Sequence, residues 1–198
     1  GKHNVNILQP SIGVGGYCLT KDPWFISSLG AKNGVTLQLP KSGRAVNDNM
    51  PLNAANTIKN VVASNGHFPC NVKIAILGYS FKTNSGDVRF SPMETFVEIM
   101  FDYGFENIYV FDSTIHQLAI KDSRVTRVKN WENCVSEANC VVFGTAHDDI
   151  KSINLSELSE LMADDKLVYD GRRYFSKDEV KELQSLGVCY RGVGRSFE

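Results

Sequence analysis

The sequence predicts an α/β protein in which a doubly wound, mostly parallel Rossmann-like sheet is preceded by an all-helical segment. From residue 72 onward, short β-branched runs alternate with helical segments, which is typical of a parallel sheet covered on both faces. Before that point, apolar residues recur at helical spacing over much of the first 65 residues. The run Gly66-His67-Phe68-Pro69 separates the two patterns, so we expect a boundary that divides the chain into 1–66 and 67–198.

The first elements are predicted from local signals. Residues 5–8 are a possible short strand that leads into a glycine-rich loop. Asp22 has the pattern of an N-cap and Pro23 that of a first helical residue, which predicts a helix over 23–32. Asn33-Gly34 should close this helix, because glycine readily adopts the left-handed conformation of a C-cap. On this interpretation, the residues just before Asp22 lie on a loop.

The later elements follow from periodicity and caps. A second helical stretch is expected from about Ser42 to about Asn65, with Pro51 starting a new helical segment or bending the helix. Ser91-Pro92-Met93-Glu94 and Ser176-Lys177-Asp178-Glu179 have the pattern of capping boxes that begin helices. Six runs are predicted as strands: Val72–Leu77, Ile108–Phe111, Val125–Val128, Cys140–Phe143, Leu167–Tyr169 and Val188–Tyr190.

Composition excludes several classes of protein. The 198 residues are 42% hydrophobic and 22% charged with a net charge of −1, which gives no reason to expect a nucleic acid or a membrane surface as a partner. Five cysteines occur without a Cys-x-x-Cys pair or the histidine spacing of a zinc site, so no metal is expected. Without a signal peptide or a long apolar run, a cytoplasmic location is the default expectation.

The most distinctive stretch lies at 10–25, where a glycine-rich turn is followed at once by Cys18. It contains three glycines within four positions: Gly13, Gly15 and Gly16. Such a turn lets the backbone approach a ligand closely. The positive end of the following helix and the nearby Lys21 favour the thiolate form of Cys18, which is the nucleophilic form. A tight turn beside a buried structural cysteine gives the same spacing, and spacing alone does not decide between the two.

Two further stretches carry charges just past predicted strands, where ligands bind in open α/β sheets. The loop 78–92 contains three such residues: Lys82, Asp87 and Arg89. A solvated loop whose charges pair with each other is the alternative for 78–92. The run 168–173 ends a strand with Asp170-Gly171 and two arginines. We interpret His147 as a residue that lines the cleft or is structural, rather than as a general base.

These stretches resemble one family. The run Gly-Val-Gly-Gly-Tyr-Cys-Leu-Thr-Lys-Asp-Pro at 13–23 is similar to the catalytic-cysteine motif of the UDP-glucose/GDP-mannose dehydrogenase family, whose members oxidise a nucleotide-sugar alcohol to a carboxylate with NAD. The spacing Gly-x-x-Phe-Lys-x-x-x-x-Asp-x-Arg-x-Ser-Pro at 78–92 resembles the family's second signature, and Asp170-Gly171-Arg172 resembles its Asp-Gly-Arg element. The resemblance covers nearly all of the chain but only about the second half of a family member.

The resemblance implies a role for each motif residue. Cys18 is the catalytic nucleophile, and Asp22 positions or activates water. Lys21 and Arg89 contact the cofactor, with Asp87 orienting Arg89. The substrate-binding set comprises Gly13, Gly15, Gly16, Phe81, Lys82 and Arg172. Segment 1–66 then holds the cysteine loop and part of the central helical dimerisation domain, and 67–198 is the UDP-sugar-binding α/β domain.

The reaction that the resemblance implies is a four-electron oxidation at C6 of a UDP-sugar, through a thiohemiacetal and then a thioester on Cys18. No strand followed by Gly-x-Gly-x-x-Gly precedes the cysteine loop. We therefore expect the main dinucleotide-binding domain and the family's catalytic lysine to be missing from this chain, and we expect the chain alone not to turn over.

The substrate and the assembly are the remaining expectations. The branch that oxidises UDP-N-acetylmannosamine or UDP-N-acetylglucosamine typically has three of the residues seen here: Val14, Pro23 and Trp24. Lys21 matches the branch that oxidises UDP-glucose, so UDP-N-acetylmannosamine is expected and UDP-glucose is the alternative. A non-catalytic nucleotide-sugar-binding or dimerisation module needs Lys82 and Arg172 but not Cys18. A flavodoxin-like binder would pack the whole helical first third within one domain. A homodimer through the helical segment is also expected.

Overall fold

A computed structural model describes residues 9–116 and 119–195. Within these ranges six strands form the central sheet: β1 (Lys73–Leu77), β2 (Asn107–Phe111), β3 (Thr126–Arg127), β4 (Cys140–Phe143), β5 (Leu167–Asp170) and β6 (Cys189–Gly192). All neighbouring pairs are parallel, and the order across the sheet is β3-β2-β1-β4-β5-β6. The possible strand at 5–8 lies outside the described residues.

The predicted fold class is confirmed. Each of the six predicted strands is present within two residues of its expected bounds. The chain runs outward from β1 to β3 and then returns to the other side of β1 with β4, so the strand order reverses between β1 and β4. In doubly wound sheets, ligands bind in the crevice outside the carboxyl ends of the strands at such a reversal.

Helices surround the sheet. In the described part of the chain these are α1 (Tyr17–Lys32), α2 (Gln38–Asp48), α3 (Met50–Ser64), α4 (Pro92–Asp102), α5 (Trp131–Val135), α6 (Asp148–Lys151), α7 (Leu155–Leu161) and α8 (Lys177–Ser185), with a 3-10 turn at Pro69–Asn71. None of these helices is both long enough and apolar enough to cross a membrane.

One of the two predicted capping boxes is complete. At α8, Ser176 Oγ accepts from the backbone N–H of Glu179 at 3.2 Å, and the Glu179 carboxylate accepts from Ser176 N–H at 2.7 Å. The box predicted at α4 forms only in part. Ser91 Oγ accepts from Met93 N–H at 3.3 Å and donates to the Tyr79 carbonyl at 2.6 Å, so this cap also holds the loop after β1.

The predicted start of α1 is wrong. Pro23 lies inside the helix and Asp22 is not its N-cap, because the helix begins directly after Gly16, whose φ of 85° ends the glycine turn. Pro23 has no N–H for the carbonyl of Leu19, one turn earlier. Arg44 from α2 donates to that carbonyl at 3.2 Å. A contact from a distant part of the chain therefore makes proline acceptable within this helix.

Two other boundaries shift for local reasons. Cys18 lies in the first turn of α1 and not on the loop before it. Helix α2 begins at Gln38, earlier than the predicted Ser42, with Pro40 in its first turn. Proline costs no hydrogen bond there, since the first N–H groups of a helix have no partner within it. A new helical segment, α3, forms at Pro51 as expected, with Met50 as its first residue and Pro51 as its second.

The sheet has a hydrophobic cluster on each face. Ile74 and Ile76 of β1 join the cluster that α3 and α4 cover, whereas Ala75 and Leu77 join the cluster that α5, α7 and α8 cover. Alternate residues of one strand thus reach opposite layers, as a sheet covered on both faces requires.

Helices α1 and α2 contribute little to this core. Their only buried residues are Ser27 and Arg44. Helix α3, by contrast, buries apolar side chains against the sheet layer, including Ile58 and Val62. The flavodoxin-like alternative requires all three helices to pack into one domain, and α1 and α2 do not.

Candidate functional site

The glycine turn lies at the carboxyl edge of the sheet, against the end of β5. Ile12 is fully buried there, and its N–H donates to the Gly171 carbonyl at 2.7 Å. This hydrogen bond joins the first motif to the Asp-Gly-Arg element that follows β5. The sequence therefore brings its first and last motifs together at one edge of the fold.

The three glycines of the turn are buried beneath the loop that follows β1. A Cβ on Gly13 would meet the Pro92 ring at 2.8 Å, and a Cβ on Gly16 would meet the Phe81 ring at 2.8 Å. Gly15 is equally confined, because a Cβ there would lie 2.9 Å from Pro92. Close packing of two motifs explains why these positions lack side chains, and their contact with a sugar stays a prediction.

Cys18 and Asp22 lie one helical turn apart on α1, and both side chains are exposed. Residues four apart share one face of a helix, so a thiol and a carboxylate face solvent together. Lys21 lies beside them with its ammonium 5.5 Å from the centre of the Phe25 ring. The structure thus places the three predicted polar residues of the cysteine motif close together on one helix.

Arg89 connects the second motif to the first. Its guanidinium forms two hydrogen bonds with the Asp87 carboxylate, at 2.7 and 2.5 Å, and lies 4.8 Å from the centre of the Tyr17 ring. The hydrogen bonds from Arg89 hold the pKa of Asp87 below its usual range. Asp87 therefore orients Arg89, as expected. A cavity of about 250 Å³ opens beside them, with Tyr79 and Lys121 in its lining.

The loop bearing Phe81 and Lys82 is anchored by a carboxylate that the sequence reasoning missed. Asp112 follows β2, and its Oδ2 accepts from the N–H groups of Tyr79 and Ser80 at 2.7 and 2.9 Å. Its position just past a predicted strand is the signal that could have identified it. The Lys82 ammonium has no hydrogen bond or ion pair with any described residue and extends into solvent.

His147 completes this anchor and is fully buried. Its Nδ1 accepts from the N–H of Asn84 at 2.9 Å, and its Nε2 lies 3.1 Å from Asp112 Oδ2. These partners assign the neutral tautomer with the proton on Nε2. A ring with no exposed surface and both nitrogens engaged has no access to substrate, so the structural interpretation of His147 is confirmed.

The electrostatics of this anchor favour charge on Asp112. Burial opposes ionisation, but hydrogen bonds from His147 and from the backbone N–H groups of Ser80 and Tyr79 outweigh it and hold the pKa of Asp112 well below its usual range. A permanently charged acceptor can bind several N–H groups at once, which fixes the start of the loop.

Arg172 bridges the crevice between β1 and β4. Its Nε donates to the Gly144 carbonyl at 2.7 Å and its Nη2 to the Phe81 carbonyl at 3.0 Å. Burial lowers the pKa of this guanidinium. Asp170 is also buried and accepts from Arg172 N–H at 3.1 Å. Arg172 thus holds the Phe81 loop against the strand ends, while the neighbouring Arg173 is exposed.

Comparison with known proteins agrees with this arrangement. Residues 75–177 match the model of the UDP-glucose/GDP-mannose dehydrogenase family, UDP binding domain, and residues 1–49 match that of the same family's central domain. A relative from Methanocaldococcus jannaschii named UDP-N-acetyl-D-mannosamine dehydrogenase is 29% identical over 98% of this chain and 42% of its own length. One of the same name from Escherichia coli K12 is 33% identical over 76% of this chain and 36% of its own length.

Solved structures give the same result. The UDP-D-ManNAc dehydrogenase of Pyrococcus horikoshii aligns with a TM-score of 0.77 and 30% identity over 98% of this chain and 42% of its own. An NDP-N-acetyl-D-galactosaminuronic acid dehydrogenase of Methanosarcina mazei Go1 aligns with a TM-score of 0.81 and 26% identity over 96% of this chain and 40% of its own. This chain therefore spans about two fifths of the length of these proteins. The resemblance found in the sequence motifs is confirmed.

Proposed function

Because the chain belongs to the UDP-glucose/GDP-mannose dehydrogenase family, we propose that it supplies the catalytic cysteine and the UDP-sugar site of an NAD-dependent UDP-sugar 6-dehydrogenase acting on UDP-N-acetylmannosamine. The observation that carries the proposal is the junction of the three motifs, in which Ile12 bonds Gly171 and Gly16 packs on Phe81 at the sheet edge. The name shared by several relatives supports the choice of substrate.

The UDP moiety is proposed to lie over the crevice between β1 and β4. The Lys82 ammonium, which has no partner among the residues that the structure describes, is available to a phosphate oxygen, and the half-buried Phe81 ring offers an apolar face to the nucleotide. Two of the N–H donors of Arg172 already bond the carbonyls of Gly144 and Phe81. Its proposed role is therefore to hold the Phe81 loop in place while its remaining donors contact the UDP-sugar.

The chemistry is proposed to centre on Cys18. Its thiolate adds to the C6 aldehyde carbon and gives a thiohemiacetal, which becomes a thioester on loss of a hydride. Water then attacks the acyl carbon, and the products are the carboxylate of the uronate and the free thiol. Asp22 lies one turn further along the same exposed face, where its carboxylate is suited to orient that water.

NAD, when bound, accepts a hydride in each of the two oxidation steps. Arg89 and Lys21 are the residues proposed to contact it. Their exposure fits this role, since the Arg89 side chain is 61% accessible and Asp87 holds its guanidinium in one orientation. The remaining contacts with the cofactor are proposed to come from a dinucleotide-binding domain outside residues 1–198.

The proposal is tested by comparing the full-length gene product with residues 1–198. In the full-length product, NADH formation should show a higher kcat/KM with UDP-N-acetylmannosamine than with UDP-glucose. Cys18→Ser should abolish steady NADH formation and leave the Kd for UDP unchanged in calorimetry. Residues 1–198 alone should bind UDP and form no NADH.

Each alternative predicts a different outcome. A higher kcat/KM with UDP-glucose would overturn the proposed substrate. Lys21 is the residue that favours this alternative, because it matches the branch that oxidises UDP-glucose. Binding of UDP without turnover in the full-length product would favour a non-catalytic nucleotide-sugar-binding or dimerisation module. Absence of UDP binding by residues 1–198 would overturn the assignment of the site.

We further propose that 1–66 includes part of a dimerisation domain and that 67–198 is the UDP-sugar-binding domain. Helix α1 buries only Ser27 and exposes six large hydrophobic side chains: Tyr17, Leu19, Trp24, Phe25, Ile26 and Leu29. Such a face is suited to a homodimer contact. Light scattering of the full-length product should give twice the monomer mass, and a strict monomer would contradict the proposal.

A further inference from the structure

Two side chains of α2 hold the glycine–cysteine segment from either side. The first is Asn47, whose amide bonds both polar groups of one residue: Val14 N–H donates to Asn47 Oδ1 at 2.7 Å, and Asn47 Nδ2 donates to the Val14 carbonyl at 3.2 Å. A side-chain amide that pairs with both groups fixes the orientation of the backbone there. Val14 lies between Gly13 and Gly15, where the backbone has the most freedom to turn.

The second side chain is Arg44, one turn earlier on α2. Its Nη1 donates at 3.2 Å to the Leu19 carbonyl, which Pro23 leaves without an intrahelical partner. Its Nη2 pairs with Asp48, one turn along α2, and only 8% of Arg44 is exposed. The guanidinium therefore replaces a missing helical hydrogen bond in the turn that follows Cys18.

The two contacted residues flank Cys18 in the sequence, since Val14 lies four residues before it and Leu19 lies one residue after it. We propose that Asn47 and Arg44 are positioning residues that keep the first turn of α1 formed and so fix the placement and reactivity of the Cys18 thiol. This inference rests on the proposed role of Cys18 as nucleophile. The helix turn matters because its free N–H groups stabilise a nearby thiolate.

The chain contains an internal control for thiol reactivity. Cys70 is also exposed, but it lies before β1, at the opposite edge of the sheet from the glycine turn. Cys134 and Cys140 are buried, and burial raises the pKa of Cys134 to about 12. Alkylation by iodoacetamide at neutral pH, followed by peptide mass spectrometry, therefore reports Cys18 and Cys70 separately.

The first test substitutes Asn47→Ala. Because Cys18 is already exposed, access does not limit its reaction. Ordered N–H groups at a helix N-terminus favour an anion beside them, so fraying of the first turn should slow alkylation of Cys18 about two- to fivefold. Alkylation of Cys70 and the Kd for UDP should stay within about twofold. Asn49→Ala is the matched control, since Asn49 follows α2 directly and its side-chain amide bonds, among the described residues, only the Ala45 carbonyl of that helix.

The second test separates a bond to Leu19 from a general effect of Arg44. Arg44→Met should slow alkylation of Cys18, and adding Pro23→Ala should reverse at least half of that loss, because alanine returns an N–H to the Leu19 carbonyl. Rescue of this kind is not expected of a residue that only supports stability. In the full-length product, both single variants should lower kcat more than they raise KM.

Three results would overturn the inference: an unchanged Cys18 rate in Asn47→Ala, equal slowing at Cys18 and Cys70, or no rescue by Pro23→Ala. None of these readouts depends on turnover. If Cys18→Ser retained NADH formation while the alkylation results held, the proposed chemistry would fail and the positioning by Asn47 and Arg44 would stand.

Discussion

Replacement of Asp112 by asparagine tests how strongly one carboxylate holds the proposed nucleotide loop. The Asp112 side chain has no exposed surface, and its two oxygens accept hydrogen bonds from different donors. Oδ2 accepts from Tyr79 N–H, Ser80 N–H and His147, while Oδ1 accepts from the N–H and hydroxyl of Thr114 at 3.0 and 2.7 Å. A side-chain amide of the same shape has one acceptor oxygen and one donor group, the NH2, so Asp112→Asn must leave a backbone N–H facing another donor.

The expected cost follows from these contacts. One buried N–H without an acceptor costs roughly 1–3 kcal/mol. The remaining hydrogen bonds lose their charge assistance, which is worth about 1 kcal/mol each. Allowing for relaxation, the sum of these losses predicts that Asp112→Asn lowers the free energy of unfolding by about 3–5 kcal/mol.

Urea denaturation at pH 7 measures this difference. Asp122→Asn is the matched control, because Asp122 bonds Arg124 two residues away near the surface and should cost less than about 1 kcal/mol. A loss below about 1 kcal/mol for Asp112→Asn would refute the reasoning. A large loss for both variants would show that acidic turns in general, and not the Asp112 anchor, are being measured.

The pH dependence has a definite sign. The folded-state pKa of Asp112 lies below its ordinary value, so its contribution is fully present above the unfolded pKa of about 3.9 and is lost as pH falls toward the folded value. The wild-type chain should therefore lose stability below about pH 4 through this group. The gap between wild type and Asp112→Asn should narrow over the same range.

Three other substitutions have expected outcomes. Gly16→Ala should cost roughly 1–3 kcal/mol in urea denaturation, because φ is 85° and a Cβ would lie 2.8 Å from the Phe81 ring. Gly43→Ala, inside α2 with nothing within 4 Å of its Cβ position, should instead stabilise by about 0.5–1 kcal/mol. Lys82→Met should weaken UDP binding about 10- to 100-fold in calorimetry without changing the midpoint of unfolding, because its ammonium contacts no described residue; unchanged affinity would remove Lys82 from the proposed site.

The sheet could be predicted from the sequence because its signals are local. Both faces of the sheet are covered, so the central strands β1, β4 and β5 are short runs of mostly apolar and β-branched residues, and they are almost wholly buried. The edge strand β3, Thr126–Arg127, is exposed and polar. The strand order was not specified by those runs. It depends on β4 crossing to the free side of β1, which no local pattern encodes, although the alternation of strands and helices favours that class of fold.

The start of α1 could not be predicted, because the signal that decides it lies elsewhere in the chain. Asp22-Pro23 is a strong local signal for a helix start, but α1 begins earlier and Pro23 lies inside it. Arg44 of α2 donates to the Leu19 carbonyl and so replaces the hydrogen bond that Pro23 cannot make. The same reasoning missed Asn47, whose partner Val14 is equally distant in sequence. Local rules describe what a segment prefers in isolation, and a buried guanidinium can reverse that preference.

The glycines of the cysteine turn show how contacts between distant parts of the chain change the interpretation of the site. Read in sequence, they indicate close approach to a ligand, whereas in the fold Gly13 packs on Pro92 and Gly16 on Phe81. Phe81 is itself proposed to contact UDP, so one ring joins the nucleotide loop to the turn before Cys18. A side chain at Gly16 would therefore clash with Phe81 of the nucleotide loop, whether or not a sugar is bound. Substitutions at Gly16 should alter the affinity for UDP and the reactivity of the Cys18 thiol together.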